Sequence, residues 1–449
     1  MRDFNRTGQA KDMNISQGSV WSATTERNSR PAFAGDTKTD VLVIGGGMCG
    51  VLVAHELKQA GLRCVVVESK QIGGGVTRNT TAKITAQHGL IYADLLERIG
   101  HEKAWQYYQA NTQAIKKYQA LAAQFPCDFE HRTAYVYSTD DSAALEREAR
   151  AYHQLGLAAH VQEDLPLPVN TCGALAMENQ AQFHPLKLLF ALAENLELYE
   201  NTFVNKLVGK TAHTPVGTIT AEHVVLATHY PLVNILGLYA LKLYQHRSYV
   251  IALENAQTLD GMYVDARENG HSFRTYGDLL FVGGGDHRTG EPGGGFHELH
   301  ALAGRAYPQA TEQFHWATQD CMSLDRVPYI GKHRAGANHL YVATGFNKWG
   351  MTGSMVAAQV LCELITQGKS DLSELYSPQR SMLSRQLATN MGKATKNLLS
   401  FGTPRCMHMG CKLRWNSAEH SWDCACHGSR FDACGHVMDG PAKRGIKPS

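Results

Sequence analysis

The stretch from Asp40 to Glu68, DVLVIGGGMCGVLVAHELKQAGLRCVVVE, constrains this chain more than any other. Val41 to Ile44 form an apolar run of buried-strand length, and Gly45, Gly47 and Gly50 follow in G-x-G-x-x-G spacing. Val51, Val53, Ala54 and Leu57 then carry a helical period that Gly61 ends. A second strand, Val65 to Val67, delivers Glu68. The first glycine permits a tight turn, the second lets the backbone approach a pyrophosphate, and the third lets helix and strand pack closely. The free N–H groups at the helix start favour negative charge, and an acid about 20 residues on suits a ribose hydroxyl. A lone glycine triplet often only connects elements. Strand, glycines, helix, strand and acid in this order predict a dinucleotide site in an α/β unit.

The rest of the composition narrows the function. A chain of 449 residues with 43% hydrophobic content has room for two or three domains. Forty-three basic residues against forty-one acidic ones give a net charge of +2 without a Lys/Arg block, so no nucleic-acid partner is expected and the partners are small molecules. The polar N-terminus lacks an apolar signal core, and the most apolar window, Val224 to Leu243, is broken by His229, Pro231 and Asn234. No membrane association and a cytoplasmic location are expected. Of eleven cysteines, six are scattered as far as Cys362, while Cys406, Cys411, Cys424, Cys426 and Cys434 crowd into the end.

Taken in order, residues 1–39 are a polar extension with Trp21 and Phe33 as large apolar anchors. The Gly/Thr-rich QIGGGVTRNTTAKITAQHG after Glu68 is too polar for a core element, and loops of that kind line ligands. A long helical pattern runs from Leu90 to about Ala122. Short strands from Cys127 to about Gln182, with a helix around Ala144 to Leu155, open a second, sheet-based domain inserted in the first. A helix from Pro185, a strand pair within Leu198 to Val208 and the strand HVVLATH return to the first domain. Tyr244 to Glu254, Met262 to Ala266 and His271 to Gly283 are three further strands of the second. Finally the strand HLYVATG enters a glycine turn and a long helix, with Gly345, Gly350, Met351 and Thr352 at its entrance.

These pieces, DVLVIGGGMCG with Glu68, the GGGVTRNTTAKITAQHG loop, HVVLATH, DRVPYIG and LYVATGFNKWGMTGS, resemble the glycine oxidase and D-amino-acid oxidase class of flavoproteins. The resemblance implies FAD in a Rossmann-like domain interleaved with an α+β substrate domain. It places Gly45, Gly47, Gly50 and Glu68 at the ADP part, and Thr80, Thr81 and Lys83 on the loop towards the flavin. Val204 reaches the adenine by its backbone, and Gly350 to Thr352 face the flavin's C2 carbonyl. Preorganised N–H donors there stabilise charge that arrives with hydride. Oxidation of an amine or 2-amino acid asks for a cation to hold a carboxylate. Arg274 and Arg247, with Tyr249 and Tyr276 nearby on predicted strands, are the candidates, since a guanidinium offers a bidentate fork; the alternative is that they are plain strand residues. His88 and Lys348 are flavin neighbours by position.

The sequence CMHMGCKLRWNSAEHSWDCACHGSRF carries a second motif. Cys406 and His408 form C-x-H, fifteen residues follow, and Cys424 and His427 form C-x-x-H. Two thiolates and two imidazoles suit zinc or an iron–sulfur cluster by spacing alone. The flanking Gly410, Cys411, Cys426, Gly428 and Ser429 make boxes similar to the Rieske 2Fe-2S domain, in which the cysteines hold one iron and the histidines the other. In that pattern Cys411 and Cys426 face each other and form a disulfide in some members, and Ser429 resembles the hydroxyl that bonds a bridging sulfide. Rieske domains usually place several strands before the first box, yet few residues intervene here.

The combination is similar to a small group of bacterial oxidoreductases that fuse an oxidase-like body to a Rieske segment. The expected layout is an oxidoreductase body over 40–380, with FAD-binding parts at about 40–125, 183–243 and 321–380 and substrate-domain parts at about 126–182 and 244–320. A helical linker at 381–400 and a small all-β domain at 401–449 complete it. The expected function is oxidation of a small amine or amino-acid-like substrate, with electrons exchanged between flavin and cluster and with an unidentified donor or acceptor. The alternatives are a non-catalytic redox sensor or electron-transfer module, and an oxidase with a zinc-stabilised or vestigial tail.

Overall fold

The computed structural model describes residues 16–402 and 404–447, so the first fifteen residues of the polar extension lie outside it. Two large sheets make the body. In the first, the strands run Tyr329–Lys332, Leu340–Thr344, Gly217–Leu226, Thr37–Ile44, Cys64–Val67 and Glu197–Tyr199 in spatial order. From Leu340–Thr344 to Glu197–Tyr199 these pairings are parallel. Val41 to Ile44 and Cys64 to Val67 are buried on both faces, which is why they read as continuous apolar runs rather than as alternation. The helices Met48–Gln59 and Gly350–Thr366 pack on this sheet and on each other. The turn leading to the first of them demands glycine. Gly45 has φ +117°, where a Cβ would lie 2.4 Å from the Ala227 carbonyl oxygen, and a Cβ on Gly50 would lie 1.9 Å from the Gly45 carbonyl oxygen.

The second sheet is mostly antiparallel and is built from chain segments far apart. Its order runs Thr311–Ser323, Leu243–Glu254, Leu279–Arg288, Ser272–Tyr276, Gly261–Asp265, Glu130–Ser138 and Gly173–Gln182. Two points differ from the sequence reading. The segment His271 to Gly283 is a hairpin of two strands, because Tyr276 pairs with Leu279 across a two-residue turn whose Gly277 has φ +54°. The strand Thr311–Ser323 was not anticipated, since TEQFHWATQDCMS mixes polar and apolar residues on both of its faces.

Four short antiparallel strands, Leu413–Asn416, Ser421–Cys424, Arg430–Asp432 and Val437–Asp439, form the C-terminal unit. The helix Arg385–Leu399 precedes them. The unit's apolar core is Cys406, Cys411, Leu413, Cys424, Cys426, Phe431, Ala442 and Ile446, so half of it is cysteine. Among the described residues no helix is long and apolar enough to cross a membrane.

Candidate functional site

The dinucleotide end is formed by the first strand, its glycine turn and Glu68. The Glu68 carboxylate accepts from the Gly46 N–H at 2.8 Å and the Lys70 N–H at 2.9 Å. The helix Met48–Gln59 has Gly47 as its N-cap, no capping side chain and no acid in its first turn. Its positive end therefore carries no competing carboxylate, which fits a pyrophosphate. Thr77 Oγ1 accepts from the Met48 N–H at 3.0 Å and ties the following loop to this turn. Val204 is buried in the apolar layer with Val65 and Val67.

That loop then runs to a cavity of about 460 Å³ lined by the second sheet, the loop itself and the entrance of the helix Gly350–Thr366. Thr80, Thr81, Lys83, His88, Gly350 and Met351 line it from the nucleotide side. Trp21 Nε1 donates to the Thr80 carbonyl at 2.8 Å, and Trp316 Nε1 to the Asn79 carbonyl at 2.9 Å, so two buried indoles fix the loop's path. Trp316 had no signal in the sequence. The helix Gly350–Thr366 begins with Trp349 as an N-cap that offers no side-chain acceptor, again leaving first-turn donors free. His88 stacks on Trp349 at 5.0 Å, and burial pushes its pKa down to about 3, so it is a neutral ring. Thr352 donates to the Thr85 carbonyl at 3.1 Å, and Thr352 and Gly345 stand behind the cavity wall. Asn347 and Lys348 hold left-handed backbone at φ +53° and +70°, a strain of about 1–3 kcal/mol each of the kind kept at functional positions.

The clamp expected from Arg274, Arg247 and Tyr249 is not assembled at this cavity. On the strand Leu243–Glu254 side chains alternate between faces. Tyr244 and Ser248 face the cavity, while Arg247 lies on the other side, where its guanidinium pairs with Glu419 of the C-terminal unit. Tyr249 reaches the cavity edge but gives its hydroxyl to Glu419 at 3.3 Å. Arg274 is fully buried under the loop, bonded to the Thr81 carbonyl. The rings of Trp21, Tyr276 and Phe281 surround its guanidinium at 5.2–5.8 Å, and burial pulls its pKa down to about 9. It fixes the loop and does not face the open volume. The acidic groups that line the cavity from the second sheet are Asp265, which is paired with Arg267, Asp286 and Asp320; nothing in a strand's sequence says which face will meet a cavity.

In the C-terminal unit the two boxes converge. Cys406 and Cys424 hydrogen-bond each other, which lowers the pKa of the Cys406 thiol and raises that of Cys424, as for two thiols sharing one proton. The rings of His408 and His427 are 4.9 Å apart. His408 Nε2 donates to Asn234 Oδ1 at 3.2 Å and His427 Nε2 to the Ala240 carbonyl at 3.1 Å, which leaves Nδ1 of each ring without a proton. His408 Nδ1 is buried with no partner, the condition of a donor built for a metal. The sulfurs of Cys411, Cys424 and Cys426 lie within 4.8 Å of one another, but Cys411 and Cys426 are joined as a disulfide. The available donor set is therefore Cys406, His408, Cys424 and His427, which fits a mixed Cys/His iron–sulfur cluster.

The unit is docked tightly on the back of the second sheet. Gln319 Nε2 donates to the Gly428 carbonyl at 2.9 Å, and Arg288 Nε to the Ala425 carbonyl at 3.1 Å. Gly290 packs so closely on the Cys424–Ala425 backbone that a Cβ would lie 2.5 Å from the Ala425 nitrogen.

A glycine-turn α/β unit, an interleaved sheet domain and a Cys/His-boxed β unit define a flavoprotein oxidoreductase with an attached iron–sulfur centre. The chain belongs to the FAD dependent oxidoreductase (DAO) family, whose model matches residues 40–364, and the Rieske [2Fe-2S] domain model matches residues 370–448. It is 33% identical to YhfW of Bacillus subtilis (strain 168), named for a Rieske 2Fe-2S iron–sulfur centre, over 95% of this chain and 96% of that protein. The tail is 49% identical over 41 residues to cytochrome b6-f complex iron-sulfur subunit 1 of Nostoc sp. (strain PCC 7120), covering 9% of this chain and 23% of that one. Among solved structures, glycine oxidase from Geobacillus kaustophilus aligns with a TM-score of 0.66 at 20% identity, over 77% of this chain and all of that one. L-proline dehydrogenase from P. horikoshii aligns at 0.65 and 20%, over 78% and 98%. These two share the fold. The protein is an FAD-dependent oxidoreductase whose cofactors are FAD and a Rieske-type 2Fe-2S cluster.

Proposed function

We propose that this enzyme oxidises a small amine or amino-acid-like substrate in the cavity and exchanges the electrons between FAD and the Rieske cluster, with a separate redox partner outside the chain. When bound, FAD takes two electrons as hydride and the cluster carries one at a time. Gly45, Gly47, Gly50 and Glu68 hold the ADP part, with Val204 beside the adenine. Thr80, Thr81, Lys83, Gly345 and Gly350 to Thr352 position the flavin end, and Cys406, His408, Cys424 and His427 hold the cluster, with the Cys411–Cys426 disulfide beside it.

One observation carries the reading: a single sheet separates the two sites. On the strand Thr311–Ser323, Thr318 and Asp320 face the cavity, while Gln319 between them bonds the Gly428 carbonyl of the second cluster loop. The cavity and the loop that carries Gly428 thus lie on opposite faces of one strand, which supports an electron path between the two proposed sites. The seven cysteines outside the two boxes are all unpaired, which supports a cytoplasmic setting.

The test is an anaerobic flash-photoreduction of the flavin in the metal-loaded protein, with the cluster followed by EPR in freeze-quenched samples. Flavin reoxidation should be matched by cluster reduction. A flavin that stays reduced beside an oxidised cluster would remove the electron path and leave an oxidase with a separate tail.

A further inference from the structure

We infer that the cavity receives its substrate as a cationic amine, with Asp320 and Asp286 taking the ammonium group, and that it does not require a substrate carboxylate. This deepens the function proposed above and rests on it.

The argument starts from groups that lack partners. Asp320 accepts no hydrogen bond and makes no ion pair among the described residues, although it lines the cavity. Burial raises its pKa, opposed by Lys348 and His229. Asp286 pairs through one oxygen with Lys348, while its buried Oδ1 has no partner, and the side chain is 10% exposed. Thr318, two residues before Asp320 and on the same strand face, is 8% exposed with an unpartnered hydroxyl. The Ser248 hydroxyl across the neighbouring strand is also unpartnered. Buried polar atoms without partners cost free energy, so the Asp286 Oδ1, Thr318 and Ser248 atoms around one open volume, with the half-buried Asp320 carboxylate beside them, point to a ligand that completes them.

Charge selects the ligand's sign. Both carboxylates face one committed ammonium, Lys348, which Asp286 already holds. Lys83 donates to Thr81 Oγ1 at 3.1 Å, and burial, helped by Arg274, brings its pKa down to about 7. At the cavity rim Arg267 is paired with Asp265 and Arg326 with Asp94, while Arg98 is exposed and donates to the Asp325 carbonyl at 2.8 Å. Arg247 and Arg274 lie outside the open volume. An incoming ammonium would supply the missing cation, whereas a carboxylate in the same place would stand as a third acid beside two.

The test uses the holoenzyme under anaerobic conditions and matched pairs that differ only by a carboxylate: methylamine with glycine, ethylamine with alanine, pyrrolidine with proline. Binding is read from the perturbation of the flavin spectrum and turnover from its bleaching. The amine of each pair should bind more tightly than the amino acid. Asp320→Asn should weaken amine binding by about tenfold or more, with Asp320→Glu restoring part of it. Flavin content and the reduced-cluster EPR signal, measured on the same samples, report that the variants are folded and loaded. Tighter binding of the amino acids, no perturbation by any amine at saturating concentration, or an Asp320→Asn variant with wild-type amine affinity would overturn the inference. The two readings fail separately. Amines that bleach the flavin beside an oxidised cluster would remove the electron path only. Amino acids that bind and deliver electrons to the cluster would remove the amine inference only.

Discussion

The cluster unit and the flavin cavity are redox sites of opposite construction. All the proposed cluster donors fall between Cys406 and His427, on two loops bridged by a disulfide. The cavity instead gathers residues from Val76 to Gln386, carried by several strands of one sheet, by loops and by a helix entrance. The first keeps its chemistry in local spacing; the second exists only once distant strands lie side by side. The stabilities differ in the same sense. The cavity is walled by a body with an extensive apolar core, whereas the tail's buried core is four cysteines with Leu413, Phe431, Ala442 and Ile446. A unit of that size depends on its metal.

The largest expected effect exploits that dependence. Cys424→Ser removes a proposed cluster ligand that is also a core residue. The reduced-cluster EPR signal should vanish, and amides from 405 to 447 should lose their protection from hydrogen exchange. Flavin content should remain near that of the wild type, because the dinucleotide site shares no residue with the tail. A tail that stays protected without iron would show that docking on the sheet, rather than the metal, holds it folded.

The contrast also sets what the sequence could convey. The glycine turn, Glu68, the fully buried strands and the Cys/His boxes are local patterns whose spacing encodes their geometry, and they were legible. The loop TTAKIT was legible as ligand-lining, but its anchors Trp21 and Trp316 come from 59 and 237 positions away. Arg247 shows the physical limit most clearly. It was read as a clamp because its residue type suits a carboxylate. It does grip a carboxylate, that of Glu419, but on the face of the sheet away from the cavity. Strand periodicity says that Arg247 and Ser248 point to opposite sides; which side meets the flavin is fixed by tertiary packing. Asp286 and Asp320 were passed over for the same reason.

Arg247 offers the next experiment, of intermediate size. Arg247→Met leaves Glu419 with Arg430 as its remaining cation, at 3.1 Å. Because Glu419 is half-buried and keeps Arg430, the loss is that of charged hydrogen bonds, about 1.5–3 kcal/mol, and it falls mainly on docking of the tail. Gly290→Ala attacks the same interface sterically, since its Cβ would meet the Ala425 backbone. Both variants should keep flavin and cluster spectra while electron transfer between them slows. If Arg247→Met instead raises KM and leaves the transfer rate alone, the guanidinium serves the substrate and the division between the two faces is wrong.

The smallest effect concerns the cavity's own charge. Lys83 titrates at about 7 rather than near 10.5, because burial penalises its charged form and Arg274 adds repulsion, with Asp286 opposing. Below that pH the protonated lysine adds a positive charge to the cavity and weakens binding of a cationic amine. Above it the charge is gone while a simple alkylamine, with a pKa of about 10, still carries its own. Amine affinity should therefore rise by up to about tenfold between roughly pH 6 and pH 8, and Lys83→Gln should flatten that slope. Stability follows the same group. The folded pKa lies below the unfolded one, so the unfolded chain binds more protons between the two values and stability rises with pH across that window. Lys83→Gln should consequently stabilise the protein most at or below pH of about 7, with the gain fading towards pH of about 10, as thermal denaturation across that range would measure. A wild-type affinity that is flat through neutrality would mean that Lys83 is held in one protonation state, and that the cavity's sign is set by its carboxylates and Lys348 alone.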